Sequence, residues 1–156
     1  VAIRRLLLSI LRFLGAAPEV PSPPGMIDFD DVSVENGTLT IKNIPAPLWI
    51  FSNPFDTDSM DGAYDVGHSP IMICNREFID RYADMGAWIS WRLKNGVGRF
   101  HQIVEIGSDE EGWYCKTAGL NLGAADPYKI RKADITAIAI GILWTKPSDK
   151  VIYTGG

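Results

Sequence analysis

The chain has two histidines, His68 and His101, among 156 residues. An imidazole titrates near neutrality, so it can take a proton from a nucleophile and return it to a leaving group. His68 follows Gly67 in a turn-forming stretch and reads as a turn residue. His101 lies in an apolar strand, where a lone histidine is either a satisfied structural group or a base. The densest polar chemistry is Asp56-Thr-Asp-Ser-Met-Asp-Gly-Ala-Tyr-Asp-Val-Gly67, and three readings compete for it. Asp56, Asp58 and Asp61-Gly62 resemble a calcium loop at a glance, but Met60 falls where the third ligand belongs and Gly67 where a glutamate is needed. A solvated acidic turn without chemistry is the second reading. The third is a turn that presents Ser59 as a nucleophile, which requires a base to remove the hydroxyl proton.

Mostly β elements must position these groups. Val32 and Val34 alternate with polar residues, Asn36-Gly37 is a hairpin turn, and Leu39 and Ile41 alternate on the return. Short apolar strands are expected over 45–51, 69–74 and 87–93, the last ending at Asn95-Gly96. Arg76 to Met85 reads as a short helix with Phe78, Ile79 and Tyr82 on one side. Arg99 to Ile106 and Gly112 to Thr117 read as a hairpin closed by residues 107–112, with Asp109, Glu110 and Glu111 as a solvated tip. Ile135 to Trp144 is a final apolar run, suited to a buried strand or a bent strand pair, and the tryptophans read as core and sheet-face packing. Many short strands with one short helix suggest a mainly β fold, a coiled sheet or partly open barrel.

The order of these stretches resembles the type I signal peptidases over roughly residues 47–145. Ser59-Met60, followed by Asp65-Val66-Gly67 and an apolar strand, is similar to that family's serine box, where the serine before the methionine is the nucleophile. Gly98-Arg-Phe-His-Gln-Ile-Val-Glu-Ile-Gly107 is similar to the strand that carries the base, histidine in the archaeal and eukaryotic branch; His101 stands at that position. Residues 112–127 resemble the hairpin and aspartate-bearing loop, and residues 134–143 the last strand. The family's usual Lys-Gly-Asp-Asn is replaced by Ala118-Gly119-Leu120-Asn121, which leaves Asp126 as the matching carboxylate.

The resemblance implies a signal-peptidase/LexA-like coiled β-sheet domain with a short helix. It implies Ser59, His101 and Asp126 as catalytic residues, and the Thr57 side chain and Ser59 amide as oxyanion donors. A carboxylate on the far side of the imidazole fixes its tautomer, and each oxyanion donor typically contributes ~3–4 kcal/mol to lowering the barrier. The expected substrate is an extended peptide or protein segment, with no cofactor and no metal. A LexA-type self-cleaving repressor fits less well: that family uses Ser and Lys, and residues 1–46 offer neither room nor charge for a helix-turn-helix.

Composition bounds the partners. The net charge of −4 disfavours general nucleic-acid binding, which needs clustered cations. Cys74 and Cys115 are far apart, with no CxxC and no paired histidine, which excludes a zinc finger or disulfide scaffold. Residues 1–14 are too short to span a bilayer, which takes about 20 apolar residues. They place Arg5, Ser9 and Arg12 on one narrow face, so the expectation is an amphipathic helix. Its apolar side needs a protein partner, a membrane surface or its own domain to cover it. Residues 15–25, with Pro18, Pro21, Pro23 and Pro24, read as an extended linker, and 26–156 as the β domain. Two functions from different classes follow. One is a serine endopeptidase of signal-peptidase type that cleaves a precursor or assembly partner, soluble or held at a surface. The other is a non-enzymatic scaffold of the same fold, homo-oligomeric or part of a larger assembly such as a virion.

Overall fold

The structure, a computed structural model, describes residues 21–53, 60, 63–120 and 124–155. The expected helix over 1–14 lies outside them, as do Thr57 and Ser59. The chain is mainly β. Strands β1 (Val32–Glu35) and β2 (Thr38–Ile41) form a separate two-stranded hairpin. Its turn residues, Asn36 and Gly37, both have positive φ (50° and 77°), the geometry whose twist matches two antiparallel strands.

The other strands are β3 (Leu48–Phe51), β4 (Ser69–Ile73), β5 (Trp88–Arg92), β6 (Gly98–Asp109), β7 (Gly112–Ala118), β8 (Ile135–Leu143) and β9 (Val151–Thr154). They build one antiparallel sheet of seven strands in the order β7-β6-β5-β8-β4-β3-β9. Helix α1 (Arg76–Tyr82) starts at Asn75, whose side-chain oxygen accepts from Phe78 N at 3.0 Å, and it buries Ile79.

Strand alternation explains the core. Ile73, Ile89, Trp91, Ile103 and Ile138 face the main cluster, which Ile79 of α1 and Ile130 complete. Their chain neighbours Met72, Trp88, Ala137 and Ala139 pack on the other face with Phe51, Cys74 and Phe100. The sheet therefore carries apolar packing on both faces, the larger cluster being on the α1 side. Register shifts at Ile71/Met72, Ser90/Trp91 and Ile103/Glu105 bend neighbouring strands, as an unpaired extra residue does.

Several expectations change. Of the two forms expected for the final apolar run, the structure shows the single strand: residues 135–143 lie at the centre of the sheet, with Ile140 as the extra residue opposite Ile71/Met72. That run is not the last strand, because β9 follows and pairs with β3 at the sheet edge. The β6–β7 turn is only Glu110-Glu111, since Asp109 still pairs with Gly112. Its tip is not simply solvated: Asp109 accepts from Lys129 Nζ at 2.6 Å, and Arg131 reaches both Asp109 (2.9 Å) and Glu111 (2.8 Å). Lys129 Nζ also stands 4.6 Å from the centroid of the Tyr114 ring, which lies across Gly107 where any Cβ would collide. Trp49 and Trp144 are 42% and 81% exposed, since one lies beside the edge strand and the other follows the end of β8. The described end of the proline-rich stretch is docked. Gln102 Nε2 donates to Pro21 O at 2.5 Å, and Ser22 O lies 2.0 Å from where a Cβ on Gly86 would stand. Among the described residues no helix is long and apolar enough to cross a membrane.

Candidate functional site

His101 sits on β6 opposite Ile89 of β5. Its side chain therefore shares the main-core face with Ile89 and Ile103, and the residue is 7% exposed. An imidazole buried there needs a partner. Asp126 supplies it, with His101 Nδ1 and Asp126 Oδ2 2.8 Å apart. The carboxylate reaches this place because the chain after β7 turns back along that strand's outer edge. Asp126 N donates to Thr117 O at 2.6 Å, and Cys115 and Ile130 exchange backbone hydrogen bonds at 2.9 Å. Thr117, paired with Ile103 and fully buried, points its hydroxyl inward and donates to the same Oδ2 at 2.5 Å.

The electrostatics follow from these contacts. Burial acts to raise the pKa of Asp126. The hydrogen bonds from His101 and Thr117, with the charges of His101 and Arg99, outweigh it and hold the carboxyl below its ordinary value. An ionised Asp126 accepts hydrogen bonds only, so Nδ1 of a neutral His101 carries the ring proton and Nε2 keeps the lone pair. That tautomer suits a base that must accept a hydroxyl proton at Nε2.

Among the described residues, strand pairing leaves this end of β6 with a neighbour on one side only. β7 stops at Ala118, opposite Gln102. In backbone pairing, the described residues 98–101 are matched to β5 alone. Phe100 and His101 are successive, so they face opposite sides of the sheet at this margin. Tyr64 packs edge-on against Phe100 at 5.0 Å between centroids. The segment around Tyr64 is closed at its neck by Asn53 N to His68 O and Gly67 N to Asn53 O, each 3.0 Å. Met60, next to Ser59 in sequence, is 2% exposed, and its carbonyl accepts from Ala63 and Tyr64.

The structure thus brings together His101 and Asp126 of the expected site. Ser59 and Thr57 lie outside the described residues. His68 is held in its turn, Nδ1 accepting from Asp65 N at 3.1 Å. Thr117 was not foreseen. The available signal was a hydroxyl two residues after Cys115 on the core-facing register of β7, where a polar side chain needs an inward partner. Cys115 is buried and its thiol is pushed up to about 12 by burial; Cys74 is raised by the same cause. Among the described residues no group of His, Cys, Asp and Glu is placed to hold a metal. Comparison with family models, with curated proteins and with solved structures finds no match.

Proposed function

We propose that this protein is a serine endopeptidase of signal-peptidase type. The observation that carries the reading is the buried His101–Asp126 hydrogen bond, with Thr117 fixing the carboxylate from behind. It is a base and its orienting group, the two parts of a hydrolytic site most dependent on tertiary structure. In this reading His101 Nε2 takes the proton of Ser59 as its oxygen attacks a peptide carbonyl. The imidazolium, stabilised by Asp126, then protonates the departing amine. Water attacks the resulting ester with Nε2 again as base, which frees the acid and restores Ser59. Thr57 and the Ser59 amide are the proposed oxyanion donors. Among the described residues, 98–101 of β6 pair on one side only, which supports an extended substrate added as a strand. The three bulges support the coiled form of the sheet that the signal-peptidase resemblance implies. The role proposed for residues 1–14, whose sequence reads as an amphipathic helix, is to hold the domain on a protein partner or membrane surface.

A second reading, an assembly scaffold, is favoured by one other feature. The edge strand β9 exposes Val151, Ile152 and Tyr153, with Trp49 edge-on to Tyr153 at 5.8 Å. An exposed apolar edge strand is a template for pairing with another chain. One experiment separates the two readings. The protein is incubated with a fluorophosphonate and with a mixture of synthetic peptides, and adducts and products are read by mass. Hydrolysis that is lost in Ser59→Ala and in His101→Ala supports the peptidase. Intact peptides and no adduct, from protein that sediments as a defined oligomer, support the scaffold.

A further inference from the structure

The proline-rich segment changes faces of the sheet. Gln102 is paired with Trp88 and stands two residues from Phe100, so its side chain points to the face that Phe100 and Met72 occupy. There its Nε2 donates to Pro21 O at 2.5 Å and to Gly86 O at 3.0 Å. Ser22 and Pro23 then pass over Gly86, just before β5. Met26 already packs in the main cluster, on the opposite face. The chain therefore rounds the end of β5 between Pro21 and Met26, and what precedes Pro21 joins the structure from the Phe100 face.

The two faces are not equally covered. Helix α1 and Met26 lie over the main cluster. Among the described residues no helix lies over the other face. A groove of about 450 Å³ opens there across β6, β5, β8, β4 and β3, which are neighbours in that order. Met72 and Ala137 form its buried floor, and half-buried Phe51, Cys74 and Phe100 line it with exposed Trp49. Among the described residues Arg92 is the one charged side chain in the lining. An open apolar groove of this kind marks a docking surface.

Length and attachment select the occupant. Five neighbouring strands spaced about 4.8 Å apart span about 19 Å. A helix over residues 1–14 would be about 21 Å long. Residues 15–20 reach up to about 20 Å from Pro21, and Phe100 at the groove is only two residues from Gln102, to which Pro21 is tied. The apolar side of residues 1–14 needs a cover, and the tether brings it to the face that carries the groove.

We propose that residues 1–14 of this same chain dock as an amphipathic helix on the apolar groove of the Phe100 face, with Arg5, Ser9 and Arg12 turned to solvent. The inference is independent of the peptidase reading. It adds a condition to the anchoring role: a protein partner or membrane surface has to displace the segment from its own sheet, because one apolar side serves both.

The test uses Cys74, a free thiol in the groove, against Cys115, a free thiol fully buried in the main core. Full-length protein is treated with iodoacetamide, and alkylation of each cysteine is timed by mass. Leu7→Asp/Ile10→Asp puts charge on the apolar side and removes two buried side chains, so Cys74 is expected to react at least about tenfold faster while Cys115 stays unreactive. Arg5→Gln/Arg12→Gln, on the solvent side, is expected to leave the rate unchanged. If the aspartates also expose Cys115, the milder Leu7→Ala/Ile10→Ala pair decides by the same comparison. Protection of Cys74 that is independent of protein concentration, in protein that sediments as a monomer, supports docking within one chain. Equal Cys74 rates in the apolar-side and solvent-side variants overturn the proposal. Protection that is lost on dilution as a dimer dissociates overturns it too, and assigns the groove to a second copy.

Discussion

Two carboxylates lie at opposite ends of the β6–β7 hairpin, and both are more acidic than a free aspartate. At the tip, Asp109 is drawn down to about 2, first by the hydrogen bond from Lys129 and then by Arg131 and the Glu111 backbone, against some desolvation. At the open end, burial works against the ionised Asp126, and His101 and Thr117 have to overcome it. One short stretch of chain serves both ends, since Asp126, Lys129 and Arg131 all follow β7. The tip is an arrangement of formal charges open to solvent and salt. The open end is an arrangement of donors shielded by the sheet, where removing one partner leaves another polar atom buried. The first can anchor a turn. The second can hold a proton in one place.

The largest difference between the two ends is expected from Asp126→Asn. The amide presents an N–H to Nδ1 and moves the ring proton to Nε2, so the hydrolysis proposed for this site is expected to fall by about 10⁴-fold while the fold is retained. A loss no greater than that of Asp109→Asn removes the distinction. Thr117→Val comes next. It deletes a hydrogen bond to a buried charge at nearly constant shape and is expected to cost ~1.5–3 kcal/mol in urea unfolding. It also raises the pKa of Asp126, because one of the donors holding it down is gone.

The acid limb of stability follows. Asp126 has a folded pKa below its unfolded value of 3.8. Its contribution is fully present above that value and disappears as pH falls through the folded pKa. Asp109 acts with the same sign, across a window from 3.8 to about 2. Urea titrations over this range are expected to show a flatter acid limb in either Asp→Asn variant. The smallest effect is ionic: Asp109→Asn is expected to alter stability slightly in dilute buffer and to become indistinguishable from the parent in molar salt. The effect of Asp126→Asn persists in that salt. Equal salt sensitivity at both ends contradicts the comparison.

Local pattern made much of this legible. Asn36-Gly37 fixed its hairpin, the apolar run 87–93 indicated β5, and the family resemblance, rather than any local pattern, pointed to His101 and Asp126, which meet across 25 residues. What escaped depends on distant chain. β9 is four exposed residues that make a strand only because β3 offers an edge. The acidic tip looked solvated because its cations lie about twenty residues onward. The hydroxyl of Thr117 acquires meaning only when Asp126 folds back on β7. Register decides such pairings, and register is a property of two strands rather than one.

The central claim is that Asp126 holds the proton of His101 on Nδ1 and leaves Nε2 free to accept another. Nitrogen-15 NMR of the imidazole in the full-length protein tests this directly at a pH where the ring is neutral. The account predicts a protonated Nδ1 and a bare Nε2, with the tautomer inverted in Asp126→Asn. A proton on Nε2 in the unmodified protein, or a tautomer indifferent to Asp126→Asn, contradicts it.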